Sequence, residues 1–257
     1  MREVTIDIEL DGEILVDIDV LTDNSYIAIT DKGRVVFTFD RIEISQTFKF
    51  PIIRQLSDNL FLVADSRTND DETDNCFVYD LKGNAIKHFY AGDGIQDIEV
   101  LREKIVITYF DEGVYGTDGP NNEGLVVFDF DGNILSKYNE KHSDQIISDC
   151  YCICKHGANR ILFLPYTEFP LIELNLDSGD EKKYVIPEQL KGSNGITSNA
   201  DSVIFHSPYD DKRGIYKWKI GDKKADKIGE YSEGLRGLKN GRFISIGQKG
   251  FTILDLN

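Results

Sequence analysis

The chain of 257 residues is 40% hydrophobic and 11% aromatic, a composition typical of globular rather than disordered proteins. Its 45 acidic and 29 basic residues give a formal net charge of -16, and a surface this negative repels phosphate backbones and anionic lipid headgroups. We therefore expect no nucleic-acid and no membrane partner; a small polar molecule or a protein fits better.

The amino-terminal stretch MREVTIDIELDGEI contains no apolar run of the length that a signal peptide needs. No segment approaches the ~20 consecutive apolar residues of a membrane-spanning helix. We therefore expect a cytoplasmic protein. Thiols stay reduced in that compartment, so the four cysteines are not expected to form disulfide bonds.

A pattern of alternating apolar and polar residues recurs along the chain. VYDLKGN at 78–84 and VFDFDGN at 127–133 both end in a Gly-Asn turn, which is typical of β-hairpins. Weaker copies lie around Phe39, Leu176, Ile220 and Leu256. The copies are roughly 36 to 49 residues apart, a spacing typical of the four-stranded blades of a β-propeller.

Six repeats are predicted in chain order, and their first strands are EILVDIDVL, IIRQLSD, IQDIEVL, SDCYCIC, NGITSNA and GLRGLKN. In the first repeat the outermost strand is predicted at ISQTFKF, residues 44–50, and the last repeat has three strands instead of four. The segment EVTIDIEL, residues 3–10, would supply the missing strand and cover an exposed sheet edge. We therefore predict an all-β, six-bladed β-propeller with four antiparallel strands per blade, forming one domain over residues 1–257 and containing no evident helix.

Three cysteines occupy every second position of SDCYCICKHG, residues 148–157. Residues two apart share one face of a strand, so we place Cys150, Cys152 and Cys154 on one face of the innermost strand of the fourth repeat. A zinc site needs about four converging ligands, whereas these positions span roughly 13 Å. We expect buried thiols that pack as small apolar groups, with Cys76 also in the core.

Binding residues of a propeller are expected in the loops that lead into the innermost strands, where the innermost strands begin, where the second strands end, and in the loops that follow the second strands. Side chains of both charges, with aromatic and amide groups, occur there and predict a mixed-charge pocket on this top face. The predicted ligand-binding residues are Arg54, Asp65, Arg67, Asp97, Tyr109, Asp111, Glu112, Asp149, Tyr166, Glu168, Asn194, His206 and Arg236. The loop DEGVYGTDGPNNEG, residues 111–124, is predicted to be an ordered, re-entrant loop or a lid.

The stretches DGIQDI, YFDEGVYG, GLVVFDFDGNIL, SDCYCI and PYTEFPLIEL resemble segments of a group of uncharacterised bacterial β-propeller proteins. The resemblance covers roughly residues 93–176 and implies the propeller fold and a bacterial origin. Several of the predicted binding residues fall in these segments: Asp97, Tyr109, Asp111, Glu112, Asp149, Tyr166 and Glu168.

The stretch SNGITSNADSVIFHS, residues 193–207, is similar to a segment of the gluconolactonase and senescence-marker family. In that family of six-bladed propellers such an asparagine helps to hold a central divalent cation, and the resemblance gives Asn194 this role. His206-Ser207 departs from the family, which has an aspartate ligand there. With Asp97 and Asp149, Asn194 makes up the predicted metal-binding set, for which Ca²⁺ is the candidate ion.

Two functions remain open, together with a scaffold that uses only the outer surface. One is a non-catalytic module that binds a polar small molecule or a protein in the top-face pocket. The alternative is a metal-dependent hydrolase of lactonase type, in which the cation polarises a carbonyl group and activates a water molecule. His206 is interpreted either as a general base oriented by Glu168 or as a hydrogen-bonding residue at the rim.

Overall fold

A computed structural model describes residues 1–21, 23–68, 73–142 and 146–257. In chain order the strands are β1 (Arg2–Asp7), β2 (Leu15–Val20), β3 (Tyr26–Thr30), β4 (Arg34–Phe37), β5 (Arg41–Glu43), β6 (Pro51–Ser57), β7 (Leu60–Asp65), β8 (Cys76–Asp80), β9 (Ala85–Phe89), β10 (Ile95–Leu101), β11 (Lys104–Tyr109), β12 (Leu125–Asp129), β13 (Ile134–Lys137), β14 (Cys150–His156), β15 (Arg160–Pro165), β16 (Pro170–Asn175), β17 (Glu181–Val185), β18 (Gly195–Asn199), β19 (Ser202–His206), β20 (Gly214–Lys219), β21 (Asp226–Glu230), β22 (Arg236–Leu238), β23 (Arg242–Gly247) and β24 (Gly250–Asp255).

These strands form six four-stranded sheets within the described ranges. Five sheets contain consecutive strands, from β2–β5 to β18–β21, and the sixth has the order β1-β24-β23-β22. The chain is therefore the six-bladed β-propeller predicted from the sequence, and β1 completes the last blade. β1 is an exposed edge strand, and its charged side chains discourage pairing with another chain.

The chain divides into two compact units. The first unit contains Asp7–Ile147 and Ile246–Gly250, and the second contains Met1–Ile6, Ser148–Ser245 and Phe251–Asn257. The first unit thus holds the sheets β2–β5, β6–β9 and β10–β13. The prediction of one domain over residues 1–257 stays a prediction.

The strands β7 and β19, in the middle of their blades, are buried on both faces because their alternate side chains enter two different core clusters. In β7, Phe61 and Val63 pack with β3 and β4, whereas Leu62 and Ala64 pack with residues of β10 to β12. In the second unit β19 divides in the same way, with Phe205 in one cluster and Ile204 in another. Successive side chains of a strand point to opposite faces of the sheet, so alternate residues enter different clusters.

The outermost strand of the first blade differs from its predicted position at 44–50. β5 covers Arg41–Glu43, and Ile42 pairs with Val35 of β4. A tight turn brings the chain back early, since the amide of Phe37 donates to the carbonyl of Asp40 over 2.7 Å. The alternation of RVVFTFD, residues 34–40, predicts a third strand that continues through this turn, whereas β4 ends at Phe37.

Short helices occur in the loops, although the sequence predicted none. Two α-helices, α1 (Asp111–Val114) and α2 (Tyr138–Lys141), accompany 3-10 turns at Pro120–Glu123 and Glu188–Leu190. The loop after β11 is ordered, as predicted, because the buried Asn121 amide donates to the carbonyls of Gly113 and Thr117. In the described part of the chain, no helix is long and apolar enough to cross a membrane.

The four cysteines are buried and free, as expected of packed thiols. Cys152 and Cys154 pack in the same cluster as Trp218. A bulge lies between Cys150 and Cys152, which pair with Pro165 and Leu164 respectively. The strict alternation that we predicted for the three thiols is therefore interrupted at Cys150.

Candidate functional site

In the first unit, Arg54 lies at the centre of a buried network of ion pairs. Its guanidinium donates to Asp17 Oδ2 over 2.6 Å, to Asp97 Oδ1 over 2.5 Å and to the carbonyl of Ile98 over 2.7 Å. These groups lie on β2, β6 and β10, the first strands of three successive blades. Arg54 is 4% exposed, so the network joins the blades and offers little surface to a ligand.

The charge on Arg54 is maintained by the carboxylates around it. Burial alone would lower the pKa of the guanidinium, but Asp17 and Asp97 outweigh this effect and raise the pKa above its usual value. Asp17 also accepts the amide of Ile53 over 2.9 Å, and Asp97 accepts the amide of Ile98 over 2.8 Å. Two predicted binding residues, Arg54 and Asp97, are therefore bonded to each other.

Four other predicted residues of the first unit lie in or beside its loops. Arg67 pairs with Asp93 over 3.1 Å and with Glu112 over 2.7 Å, and it is 40% exposed. Asp111 starts α1 and accepts the amide of Glu112 over 2.8 Å. Asp65, at the end of β7, accepts two backbone amides of the preceding loop. The structure thus brings Arg67 and Glu112 together at the surface.

Tyr109 belongs to the core instead of the surface. Its side chain is fully buried, and its hydroxyl donates to the carbonyl of Ala91. Burial raises the pKa of Tyr109 well above its usual value. The aromatic residue at the end of β11 faces the interior, so the structure gives Tyr109 a packing role and not the predicted place in a binding pocket.

In the second unit, a pocket of about 200 Å³ lies where the loops after β19 and β21 meet the start of β18. The sequence predicted binding residues at positions of these kinds. Two of the predicted residues line it, Asn194 and His206. The other lining residues are Ser207, Lys212, Ser232, Glu233, Gly234 and Leu235.

His206 is the buried polar group of this pocket, with 2% of its surface exposed. Its Nε2 lies 3.2 Å from the carbonyl oxygen of Tyr231, which only accepts hydrogen bonds, so Nε2 carries the proton. Burial lowers the pKa of His206, although the bond to Tyr231 opposes the shift. The ring is therefore neutral near pH 7, and Nδ1 presents a lone pair.

That lone pair has no hydrogen-bond partner within the described residues. Buried polar atoms are nearly always paired, so an unpaired buried acceptor beside a pocket marks a candidate position for the donor group of a ligand. The backbone beside it is also unusual, since Ser207 has a φ of 56°, in the left-handed region. Glu168 was predicted to orient this histidine, but the partner of Nε2 is the carbonyl of Tyr231.

An aromatic cluster lies beside the pocket in the same unit. Tyr151 stacks on Tyr166 with ring centroids 6.1 Å apart, and it meets Phe169 and Tyr209 edge-on at 5.3 and 6.0 Å. The hydroxyls of Tyr151 and Tyr209 are hydrogen-bonded to each other. Lys212, which lines the pocket, places its ammonium group 5.1 Å from the centroid of Tyr209 and so links the two features.

A strained turn presents part of this cluster. Thr167, Glu168 and Phe169 have φ values of 76°, 28° and 50°, which are unusual for three consecutive residues that are not glycine. The turn leaves Tyr166 47% exposed and buries Phe169. Gly192 lets the ring of Tyr209 pack closely against the backbone, since a Cβ at this position would lie 2.4 Å from that ring.

The remaining predicted residues of the second unit lie close to these features. Asp149 accepts the amide of Tyr166 through its carbonyl over 2.7 Å, and Glu168 is exposed on the strained turn. Arg236 is half-buried at the start of β22, next to Leu235 of the pocket.

The metal-binding set of Asp97, Asp149 and Asn194 stays a prediction. Asp97 is already engaged by Arg54. Across the ranges that the structure describes, no group of three or more His, Cys, Asp and Glu side chains is arranged to hold a metal ion.

Sequence reasoning missed several residues of the site. Lys212, Ser232 and Glu233 lie in irregular loops, where spacing along the chain gives no register. Tyr151 and Tyr209 come together from different blades, and only the aromatic content of CYCIC, PYTEFP and SPYDD hinted at a cluster. No pattern marks the unpaired nitrogen of His206, because it depends on which carbonyl is nearby.

No protein-family model matches the chain, and no curated protein matches it. Neither of the two family resemblances noted in the sequence is therefore supported by a match to a family model or to a curated protein. The propeller fold that both imply is present.

Solved structures of similar fold cover all or nearly all of the chain. A virginiamycin B lyase from Staphylococcus aureus gives a TM-score of 0.59 at 12% identity, over 100% of this chain and 99% of that one. A streptogramin B lyase gives 0.61 at 11% identity, over 100% and 98%. BamB from Moraxella catarrhalis gives 0.56 at 10% identity, over 97% and 85%. At such identities the likeness shows the fold alone, which is the β-propeller.

Proposed function

We propose that this propeller is a non-catalytic binding module that holds a small polar molecule in the pocket beside His206. The observation that carries the proposal is the imidazole itself, which is buried, lines the pocket and keeps one ring nitrogen without a protein partner. Leaving such an acceptor unpaired costs about 1–3 kcal/mol, and a donor group of a ligand would recover that free energy.

The lining residues support a particular ligand chemistry. Lys212 contributes a cation and Glu233 an anion, while Asn194 and two serines offer amide and hydroxyl groups. This combination favours a neutral or zwitterionic molecule with hydroxyl or amine donors. The volume of about 200 Å³ lies below the range of about 300–1,000 Å³ that is typical of drug-sized ligands, so the molecule is small.

The bonding of His206 favours binding over catalysis. A catalytic histidine is usually bonded to the nucleophile that it activates. In the described structure, Nε2 is bonded to a backbone carbonyl and Nδ1 to nothing, so no hydroxyl is activated. The exposed rings of Tyr166 and Tyr209 next to the pocket add apolar surface for the same ligand.

A propeller of similar fold supports a small-molecule site. The H270A variant of virginiamycin B lyase from Staphylococcus aureus is described with quinupristin, and its TM-score to this chain is 0.56 at 12% identity. The blade architecture therefore accommodates a small ligand in at least one protein of this shape.

Thermal-shift screening with sugars, amino acids, nucleosides and small organic acids tests the proposal. A ligand that binds only the folded state raises the melting temperature, in proportion to RT ln(1 + [L]/Kd). We expect at least one molecule to do so with the wild type and to lose the effect with His206→Phe.

His156→Phe is the matched control. His156 is also buried, but its Nδ1 lies 3.1 Å from the Ser198 hydroxyl, so it keeps a partner. We expect this variant to retain the shift. Equal shifts in the wild type and His206→Phe, or no shift with any molecule, would contradict the proposal.

Adding Ca²⁺ in the same assay tests the predicted metal-binding set. A rise in melting temperature that Asp149→Ala abolishes would favour the metal-dependent hydrolase.

A further inference from the structure

A second cavity, of about 310 Å³, lies in the first unit between the blades β2–β5 and β6–β9. Its walls come from the start of β3, the turn between β4 and β5, and the turns that follow β6 and β8. These turns are at the opposite ends of the strands from the predicted ligand-binding positions. We call this cavity the Phe39 groove.

The floor of the Phe39 groove is part of the aromatic core. Phe37 and Phe61 meet edge to face with their ring centroids 6.0 Å apart, and Ile27 lies beside them. At the rim, Leu81 is 42% exposed and Phe39 is 97% exposed. The groove is therefore a place where the core of two blades opens to solvent.

Phe39 is held in this exposed position by the backbone. It lies in the tight turn that Phe37 and Asp40 close with their 2.7 Å hydrogen bond, which directs the residue away from the sheet. A large aromatic side chain gains more from being buried than almost any other, and buried aromatic anchors dominate many interfaces. An almost fully exposed phenylalanine beside an apolar cavity thus marks an interaction surface.

The charged residues that line the groove are negative. Asp40 and Asp58 line it, and Asp23 accepts two hydrogen bonds from Ser25, which also lines it. Over the described ranges, none of these three aspartates takes part in an ion pair, and the lining has no basic residue. The surrounding field therefore attracts a cationic partner.

We propose that the Phe39 groove docks a peptide segment of another protein in which one large apolar side chain is flanked by lysine or arginine. The apolar side chain enters the cavity against Phe37 and Phe61, and the flanking cations meet the aspartates at the rim. A second copy of this chain is a poor occupant, because both copies carry a net charge of -16. This site is independent of the pocket beside His206.

Selection from a random phage-displayed dodecapeptide library on the immobilised full chain tests the proposal. We expect enriched peptides to share an aromatic or large aliphatic residue next to lysine or arginine. Their synthetic forms are then measured by fluorescence polarisation against the variants. Phe39→Ser removes an exposed side chain, so the fold is retained, and we expect affinity to fall about tenfold or more.

Asp40→Asn and Asp58→Asn are expected to weaken binding about two- to fivefold each, with a smaller dependence on salt than the wild type has. Val185→Ser is the matched control, since Val185 is 93% exposed and lies on β17, outside the groove. Unchanged affinity in Phe39→Ser, or enrichment of peptides without basic residues, overturns the proposal. A wild-type dimer that Phe39→Ser dissociates in sedimentation overturns it in favour of self-association.

Discussion

Arg54 and His206 are both buried polar side chains that the sequence assigned to one binding pocket, yet their environments are opposite. In the described structure, the guanidinium of Arg54 donates to the carboxylates of Asp17 and Asp97, which balance its charge, and to two backbone carbonyls. His206 has one bond, to Tyr231, and one unpaired nitrogen. The bonds of Arg54 are made within the protein and stabilise the fold, whereas His206 combines an unpaired nitrogen with a place in the lining of a pocket.

Arg54→Met is expected to produce the largest effect. The substitution removes the guanidinium and leaves Asp17 and Asp97 buried without a counter-ion. Removing one partner of a buried ion pair costs about 3–5 kcal/mol, because the other charge stays buried without a partner. We expect the free energy of unfolding to fall by that amount. Urea denaturation followed by tryptophan fluorescence measures it. A loss below about 1 kcal/mol would mean that the network contributes no more than a surface ion pair does.

The pH dependence of stability is expected to be the next largest effect. Burial lowers the pKa of His156 and His206 in the folded state, so below about pH 6.5 the unfolded chain binds more protons. Stability is therefore lost as the pH falls from about 6.5 toward the folded pKa values, by up to about 1.4 kcal/mol per pH unit for each histidine. Urea denaturation at pH 7.5 and pH 5.5 measures the loss, and His206→Phe should reduce it. An identical loss in the variant would show that His206 does not titrate in this way.

His206→Phe itself is expected to change stability at pH 7.5 by about 1 kcal/mol or less. The variant gives up the bond to Tyr231 but also removes an unpaired buried nitrogen, and the two effects oppose each other. Denaturation midpoints of the variant and the wild type test this. A loss as large as that of Arg54→Met would show that His206 is a structural residue.

Arg67→Met is expected to have the smallest effect. Arg67 also pairs with two carboxylates, Asp93 and Glu112, but it is 40% exposed. Ion pairs in contact with water contribute about 0–1 kcal/mol, so the free energy of unfolding should fall by no more than that. Arg54 and Arg67 each pair with two carboxylates but differ in burial. Comparing the two variants in the same urea series therefore separates the effect of burial on stability from the effect of the number of ion pairs. Equal losses in the two variants would contradict the account of the Arg54 network.

The blades could be predicted from the sequence because each strand carries its own signal. The alternation of apolar and polar residues in VYDLKGN and VFDFDGN predicted the strands. The last repeat lacked a fourth strand, and this predicted that β1 completes the last blade, where it pairs with β24. The early turn before β5 was missed because FTFD keeps alternating through it. The bulge at Cys150 was missed because it depends on the partner strand β15.

The site was predicted only in part, because position on a blade does not determine direction or pairing. Tyr109 and Asp65 both end a second strand, but Tyr109 turns into the core and Asp65 caps a loop. Asn194 and His206 do meet at one pocket, as their positions on the blade suggested. The residues that complete the pocket come from loops, whose conformation depends on contacts and not on periodicity.

The protonation state of His206 tests the central claim most directly. In a sample labelled with ¹⁵N, long-range proton–nitrogen correlation spectra at pH 7 distinguish the two ring nitrogens. We expect a neutral ring with the proton on Nε2, a bare Nδ1, and a change in the Nδ1 resonance when a molecule from the thermal-shift screen is added. A proton on Nδ1, or an Nδ1 resonance that does not respond to that molecule, would contradict the assignment of this pocket as the ligand site.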